Sequence, residues 1–163
     1  MAGLVFGCSP EELDAPLAST ALQSNETELT AKAVHRPFKL SGEGTLNVAA
    51  NTTACPGLMQ LTVNGTGNAT HLGKFEVSLV WCTNFTDINY ATGTQVAANG
   101  DELYFRLAGM GYDADGEWAD YVYEGGTGRF ENANGELHER IYTTFVDPVN
   151  AVYTSTANGW LSY

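Results

Sequence analysis

Glu139 is the residue whose type and position most clearly suggest chemistry. In the same segment, Leu137, Ile141 and Phe145 alternate with polar residues. Glu139 should therefore point to the side of these apolar residues. A carboxyl group in an apolar interior has a raised pKa and can serve as a general acid. Two structural explanations are more common: a one-residue bulge turns the side chain outward, or an arginine pairs with it.

Five aromatic residues form a second set of candidates, because they could line a pocket mouth and stack on a ligand. They are Tyr104, Trp118, Tyr121, Tyr123 and Tyr142. Aromatic side chains are also common in strands, where they pack against their neighbours, and this is the simpler explanation.

A run of acidic residues between 113 and 124 contains no basic residue. Asp113, Asp115 and Glu117 match a fragment of a calcium-binding loop, in which carboxylate oxygens are the ligands. Because the glycine is misplaced and the distal glutamate is absent, a solvated hairpin end explains the run more simply.

The remaining composition argues against a cofactor and against nucleic acid as a partner. The three histidines are scattered, without the spacing of a catalytic triad or a metal site. We expect His71 to make hydrogen bonds within a turn. The net charge is −12, with only seven lysines and arginines. Such a surface repels phosphate backbones and anionic lipid headgroups.

Alternating apolar and polar residues after position 35 predict an all-β domain. The predicted strands span 36–48, 57–64, 72–82, 91–97, 101–110, 117–125, 135–145 and 151–163. Because an open sheet of this size leaves exposed edges, we expect a single antiparallel barrel of about eight strands. Such a barrel either holds one small ligand or is filled by its own side chains.

Asparagine–glycine and aspartate–glycine pairs support this division into strands, because they suit tight hairpin turns. They occur at 64–65, 99–100, 115–116, 134–135 and 158–159. Short alternating segments lie between them.

The N-terminal segment resembles the end of a bacterial lipoprotein signal peptide. An apolar run at 4–6 and Gly7 precede Cys8, the residue that would be lipidated. Most of the rest of such a signal is missing, and an ordinary apolar N-terminus is the alternative. We divide the chain into a signal remnant over 1–8, an acidic tether over 9–35 that is flexible or partly helical, and a barrel domain over 36–163.

This division predicts an exported protein of the bacterial cell envelope, in the periplasm or on the outer surface, that is secreted or held to the membrane only by a lipid on Cys8. Two cysteines then remain, Cys55 and Cys82, and such a pair in an exported protein forms a disulfide more often than not. A metal site is disfavoured because neither has a second cysteine or a histidine at ligand spacing.

The barrel domain also carries motifs of known barrels. The run Gly125-Gly126-Thr127-Gly128-Arg129-Phe130 resembles an element of the allene oxide cyclase-like and dirigent-like barrels. Segments 67–75 and 97–101 resemble two elements of uncharacterised exported bacterial proteins with the same pattern. The resemblance implies this barrel type, with Phe130 re-entering the core after a glycine bend.

The two families named by this resemblance confine and orient a substrate. Cyclases of this type close a ring on an epoxide, and dirigent proteins steer radical coupling. None of their functional residues can be placed on this sequence, and a fold does not fix a function.

We therefore expect a non-catalytic envelope module that binds a small apolar ligand or a protein partner, as a single chain or a homo-oligomer. An enzyme that cyclises or isomerises a substrate inside the barrel is the second hypothesis, and a purely structural surface protein is the third. An apolar cavity with one or two polar groups would support the first two, and a filled interior would support the third.

Overall fold

The structure is a computed structural model that describes residues 34–86 and 88–163, without the side chains of residues 88 and 89. The predictions for Cys8, for the signal remnant and for the tether up to residue 33 lie outside these residues. Within the described part of the chain, no helix has the length and apolar character needed to cross a membrane.

Eight antiparallel strands follow one another around a closed barrel. In chain order they are β1 (Arg36–Ala50), β2 (Met59–Ala69), β3 (Gly73–Thr83), β4 (Ile88–Ala97), β5 (Glu102–Asp113), β6 (Gly116–Gly126), β7 (Asn134–Phe145) and β8 (Asn150–Ser162). Strand β8 returns to pair with β1 along almost its whole length, so that the sheet has no free edge. The predicted all-β, eight-stranded antiparallel barrel is confirmed.

Only two of the five predicted turn pairs lie at turns, those at 99–100 and 115–116. The pair at 64–65 shows why the others do not. Gly65 faces the interior in the middle of β2, where an added Cβ would collide with the hydroxyl group of Tyr153 on β8. This glycine gives space to a side chain from another strand. As a result, β2 continues to Ala69 instead of ending near residue 64.

One end of the barrel, which we call the closed end, is filled by side chains. Phe38, Leu103, Phe130 and Leu161 are completely buried there. Phe130 belongs to a 3₁₀ turn, Gly128–Phe130, that follows β6 and packs beneath the strands. The predicted re-entry of Phe130 into the core is therefore observed.

The β2–β3 turn also lies at the closed end. The imidazole Nε2 of His71 is 3.1 Å from the carbonyl oxygen of Pro37, and the His71 ring makes an edge contact with Tyr163. This histidine connects a turn to the start of β1, as expected.

The opposite end, which we call the open end, carries the connection between β1 and β2. A disulfide joins Cys55 in this connection to Cys82 near the end of β3, with a Cα–Cα distance of 5.4 Å. Both cysteines are buried. The predicted disulfide is present.

Loss of this disulfide should destabilise the barrel, because the bond closes a loop between residues 27 positions apart. Replacing both Cys55 and Cys82 with alanine should lower the free energy of unfolding by about 2–4 kcal/mol. Urea titration of the variant and the wild type measures this loss. Alkylation of the denatured wild type should label two more thiols with reductant than without it, because the bond holds Cys55 and Cys82. Equal labelling would contradict the bond.

Candidate functional site

The barrel interior contains a cavity of about 100 Å³, here called the central cavity. Its wall is mostly apolar. It is lined by Leu40, Gly42, Leu46, Val63, Phe75, Val77, Leu79, Trp81, Gln95, Phe105, Leu107, Met110, Glu117, Ala119, Tyr121, Tyr123, Leu137, Glu139, Ile141, Thr143, Tyr153 and Ser155. The lining residues nearest the open end, such as Leu46 and Thr143, remain partly accessible, whereas the closed end is sealed. The cavity is therefore reached from the open end.

Glu139 projects into the central cavity. Strand β7 pairs with β6 and with β8 around this position without a bulge, so the alternation of the sequence is kept. No arginine of residues 34–86 or 88–163 lines the cavity. Neither structural explanation for Glu139 therefore applies, and the inward orientation is the one that the structure shows.

The surroundings of Glu139 raise the pKa of its carboxyl group. Burial among protein atoms is the largest cause, because it penalises the charged form. The hydroxyl groups of Ser155 and Tyr121 act in the opposite direction and lower this pKa, because polar groups beside the carboxylate favour its charged form. Glu139 is half-buried, and it lines the central cavity.

Glu117 is a second inward carboxylate, and its role as a calcium ligand is not supported. It lies on β6, two positions along the sheet from Glu139, because Glu117 is opposite Ile141 and Ala119 is opposite Glu139. Such diagonal neighbours lie about 7–8 Å apart at Cα. The hydroxyl group of Thr143 donates a hydrogen bond of 3.1 Å to Glu117.

The other two residues of the calcium motif lie outside the cavity. Asp113 forms two hydrogen bonds with the guanidinium group of Arg140, at 2.7 and 2.9 Å, and these lower the pKa of Asp113. Asp115 occupies the β5–β6 turn. Among residues 34–86 and 88–163, no three acidic, histidine or cysteine side chains come together as they would around a metal ion. Asp113 and Asp115 thus lie at the exposed end of the β5–β6 hairpin.

Three tyrosines contribute hydroxyl groups to the interior. Burial raises the pKa of Tyr121 and of Tyr123, and it raises the pKa of Tyr153 to about 12. The hydroxyl group of Tyr123 donates a hydrogen bond of 3.1 Å to the side-chain oxygen of Gln95. All three phenols are therefore protonated and can donate hydrogen bonds at neutral pH.

The other aromatic candidates lie on the outer face of the barrel, because they occupy the alternate positions of their strands. Tyr104 donates a hydrogen bond of 2.7 Å to Glu102. Trp118 stacks on His138, with 5.9 Å between ring centroids. Tyr142 is exposed. The structure thus brings Tyr121 and Tyr123 to the cavity and leaves Tyr104, Trp118 and Tyr142 outside it.

Sequence reasoning missed several cavity residues. Glu117 shares the parity of Tyr121 and Tyr123 along β6, and this signal could have placed it inside. Tyr153 and Ser155 are inward residues of β8 that interact with Glu139, but nothing in their local sequence marks them.

The arrangement combines two carboxyl groups with several hydroxyl groups inside a largely apolar wall. It can accept or donate hydrogen bonds, and it can hold or transfer a proton at Glu139. The indole N–H of Trp81, which also lines the cavity, is buried and has no hydrogen-bond partner within the described structure.

Comparison with known proteins identifies the fold. Neither a protein-family model nor a curated protein matches this chain. The solved structure of the pterocarpan synthase dirigent protein GePTS1 is similar, with a TM-score of 0.50 and 12% sequence identity over 81% of this chain and 86% of that chain. The pterocarpan synthase dirigent protein PsPTS1 gives a TM-score of 0.45 and 11% identity over 80% of this chain and 96% of its own.

At such low identity, the likeness to GePTS1 concerns the fold alone. The barrel is dirigent-like, as the sequence resemblance implied.

The raised pKa of Glu139 predicts a distinctive dependence of stability on pH. The folded protein keeps a proton on Glu139 to a higher pH than the unfolded chain does, because the pKa of this carboxyl group is raised only in the fold. Stability should therefore fall as the pH rises from about 4.5 through the raised pKa. Glu139→Gln lacks this loss. The free energy of unfolding of the variant minus that of the wild type should therefore increase with pH over this range and then become constant.

Urea titrations between about pH 4 and pH 8 measure this difference. Glu136→Gln is the matched control, because Glu136 is exposed on the outer face of the same strand. Its profile should run parallel to that of the wild type. A difference between Glu139→Gln and the wild type that does not change with pH would contradict the raised pKa.

Proposed function

We propose that this protein binds a small, largely apolar molecule in the central cavity. One observation supports this above all: the cavity is apolar over most of its wall, carries a few polar groups on one side, and is accessible from one end. This combination is typical of small-molecule sites, in which the apolar wall provides affinity and the polar groups fix orientation. A barrel with a purely structural role has no need for this space.

The size of the cavity limits the ligand. Drug-sized ligands occupy pockets of roughly 300–1,000 Å³, whereas a cavity on the order of 150 Å³ holds benzene. The central cavity, at about 100 Å³, is smaller than that, so the enclosed part of a ligand is no larger than benzene. Larger molecules would have to extend through the open end.

The proposal includes export to the bacterial cell envelope. The Cys55–Cys82 disulfide supports an oxidising compartment, because such bonds persist outside the reducing cytoplasm. Attachment through a lipid on Cys8 remains part of the proposal, and a soluble secreted form is its alternative. Binding of a protein partner and self-association are further proposals.

A second candidate function is the isomerisation or cyclisation of a bound substrate. The specific observation that favours it is the position of Glu139, whose pKa is raised, in the cavity wall beside Tyr121. A carboxyl group with a raised pKa is a more suitable general acid than an ordinary glutamate. Turnover would then yield a product of unchanged mass and altered structure, and this separates catalysis from binding.

Filling the cavity should abolish binding. Ala119 lines it between Glu117 and Tyr121, and Ala119→Leu would occupy part of the space at a cost of about 1–3 kcal/mol in stability. Line broadening in ¹⁹F NMR spectra of fluorinated molecules of up to about ten heavy atoms measures binding. We expect binding to the wild type and none to Ala119→Leu. Val122→Leu, a smaller enlargement on the same strand but outside the cavity lining, should bind as the wild type does.

Two results would count against the proposal. Equal binding to Ala119→Leu and to the wild type would place the binding outside the central cavity. Absence of binding to the wild type, across neutral, cationic and anionic members of the panel, would favour the structural role. Circular dichroism and the urea midpoint show that each variant is folded.

A further inference from the structure

The central cavity has an uneven charge distribution. Two carboxyl groups, those of Glu117 and Glu139, line it from adjacent strands, and its lining among the described residues contains no lysine, arginine or histidine. The arginines of β5 and β7 pair elsewhere: Arg106 contacts Glu124 and Arg140 contacts Asp113, both on the outer face. Carboxylates that face an apolar cavity without a basic partner are costly, and a cation bound between them would offset that cost.

We propose that the ligand of the central cavity is a small organic cation, an ammonium group on a compact hydrocarbon body, with its charge held between Glu117 and Glu139. This inference rests on the proposed binding function and names the class of its ligand. The hydrocarbon body would occupy the apolar part of the cavity.

The two carboxylates have free capacity to accept hydrogen bonds. An ionised carboxylate offers about four acceptor positions. Glu117 uses one of them for the hydroxyl group of Thr143. The hydroxyl groups of Ser155 and Tyr121 lie close enough to Glu139 to influence its pKa. An ammonium group supplies three donors, and the diagonal placement of the two residues leaves a gap of a few ångströms that such a group can bridge.

Aromatic rings surround the same space. Phe105 and Tyr121 meet edge to face with 5.3 Å between their centroids, and Phe75, Trp81 and Tyr153 also line the cavity. Aromatic rings attract cations through their quadrupoles, and this attraction strengthens when the cation is desolvated. The lining is therefore suited to ammonium groups as well as to hydrocarbon.

The charge of the whole protein acts in the same direction. A net charge of −12 attracts cations to the surface and repels anions. An anionic ligand would meet both this field and the two inward carboxylates, so the cavity selects against it.

Cation binding should release a proton from the cavity. The titratable groups that face Glu139 are Glu117, Tyr121 and Tyr123 on β6 and Tyr153 on β8. The tyrosines stay protonated over the relevant range, so the exchangeable proton belongs to the carboxyl groups. Because a cation binds the ionised form, its affinity should rise with pH until Glu139 is fully ionised in the free protein.

The test compares cyclohexylammonium with cyclohexanol, which has almost the same shape and no charge. Isothermal titration calorimetry of the intact protein between about pH 5 and pH 8 measures both affinities, and the amine remains charged throughout because alkylamines resemble lysine in pKa. We expect the cation to bind at least about tenfold more tightly than the alcohol at the upper end of this range. Its affinity should also increase with pH, and that of cyclohexanol should not.

Two variants test whether the carboxyl groups of the cavity recognise the charge of the ligand. Glu139→Gln and Glu117→Gln should each weaken cyclohexylammonium binding about tenfold or more and affect cyclohexanol little. Glu136→Gln, which removes an exposed carboxylate from the outer face of β7, should bind both molecules as the wild type does. If either cavity variant fails to fold, the comparison of the two ligands in the wild type and its pH dependence still decide the question.

Three outcomes would overturn the inference. Cyclohexanol could bind the wild type as tightly as the cation does, in which case the cavity binds small molecules but does not select for charge. The cation could bind Glu117→Gln and Glu139→Gln as well as Glu136→Gln, which would assign it to the acidic surface. If neither molecule binds the wild type and the fluorinated panel also fails, the proposed binding function is lost together with this inference.

Discussion

The pairing of β8 with β1 is the interaction on which the rest of the barrel depends. It extends from Arg36 opposite Leu161 to Asn47 opposite Asn150, and it satisfies the backbone groups that two free edges would expose. Once the ring is closed, every second side chain points into a space of fixed width. An eight-stranded barrel is just wide enough for its own side chains to fill, so the residues that project inward decide where space remains.

The two ends of the barrel use this space differently. At the closed end, Phe38, Leu103, Phe130 and Leu161 fill the width completely. In the middle of the barrel, small residues lie beside large rings: a Cβ on Gly65 would collide with the hydroxyl group of Tyr153. Small residues thus accommodate the aromatic side chains, and the carboxyl groups of Glu117 and Glu139 stand where leucine would pack more favourably. Departures of this kind from stable packing are expected at functional sites.

Much of the fold could be predicted from the sequence, because period-two alternation depends on local residue order alone. The eight strands and the inward orientation of Glu139 follow from that pattern, and Glu117 could have been placed by the same rule. The turn predicted at 64–65 was wrong, because a glycine that gives space to Tyr153 cannot be distinguished by sequence from a glycine in a turn. The identity of the cavity residues on β8, and the volume that remains, depend on side chains from all eight strands at once. No local pattern contains that information.

The sealed end has a kinetic consequence for any molecule that enters the cavity. Arrival and departure share one passage at the open end, so a bound molecule cannot be displaced from behind. The disulfide fixes the β1–β2 connection against β3 on one side of this passage, and the β5–β6 and β7–β8 turns border the other side. Motion of these turns would then set how long a molecule resides in the barrel, while the side chains deeper in the cavity set which molecule stays.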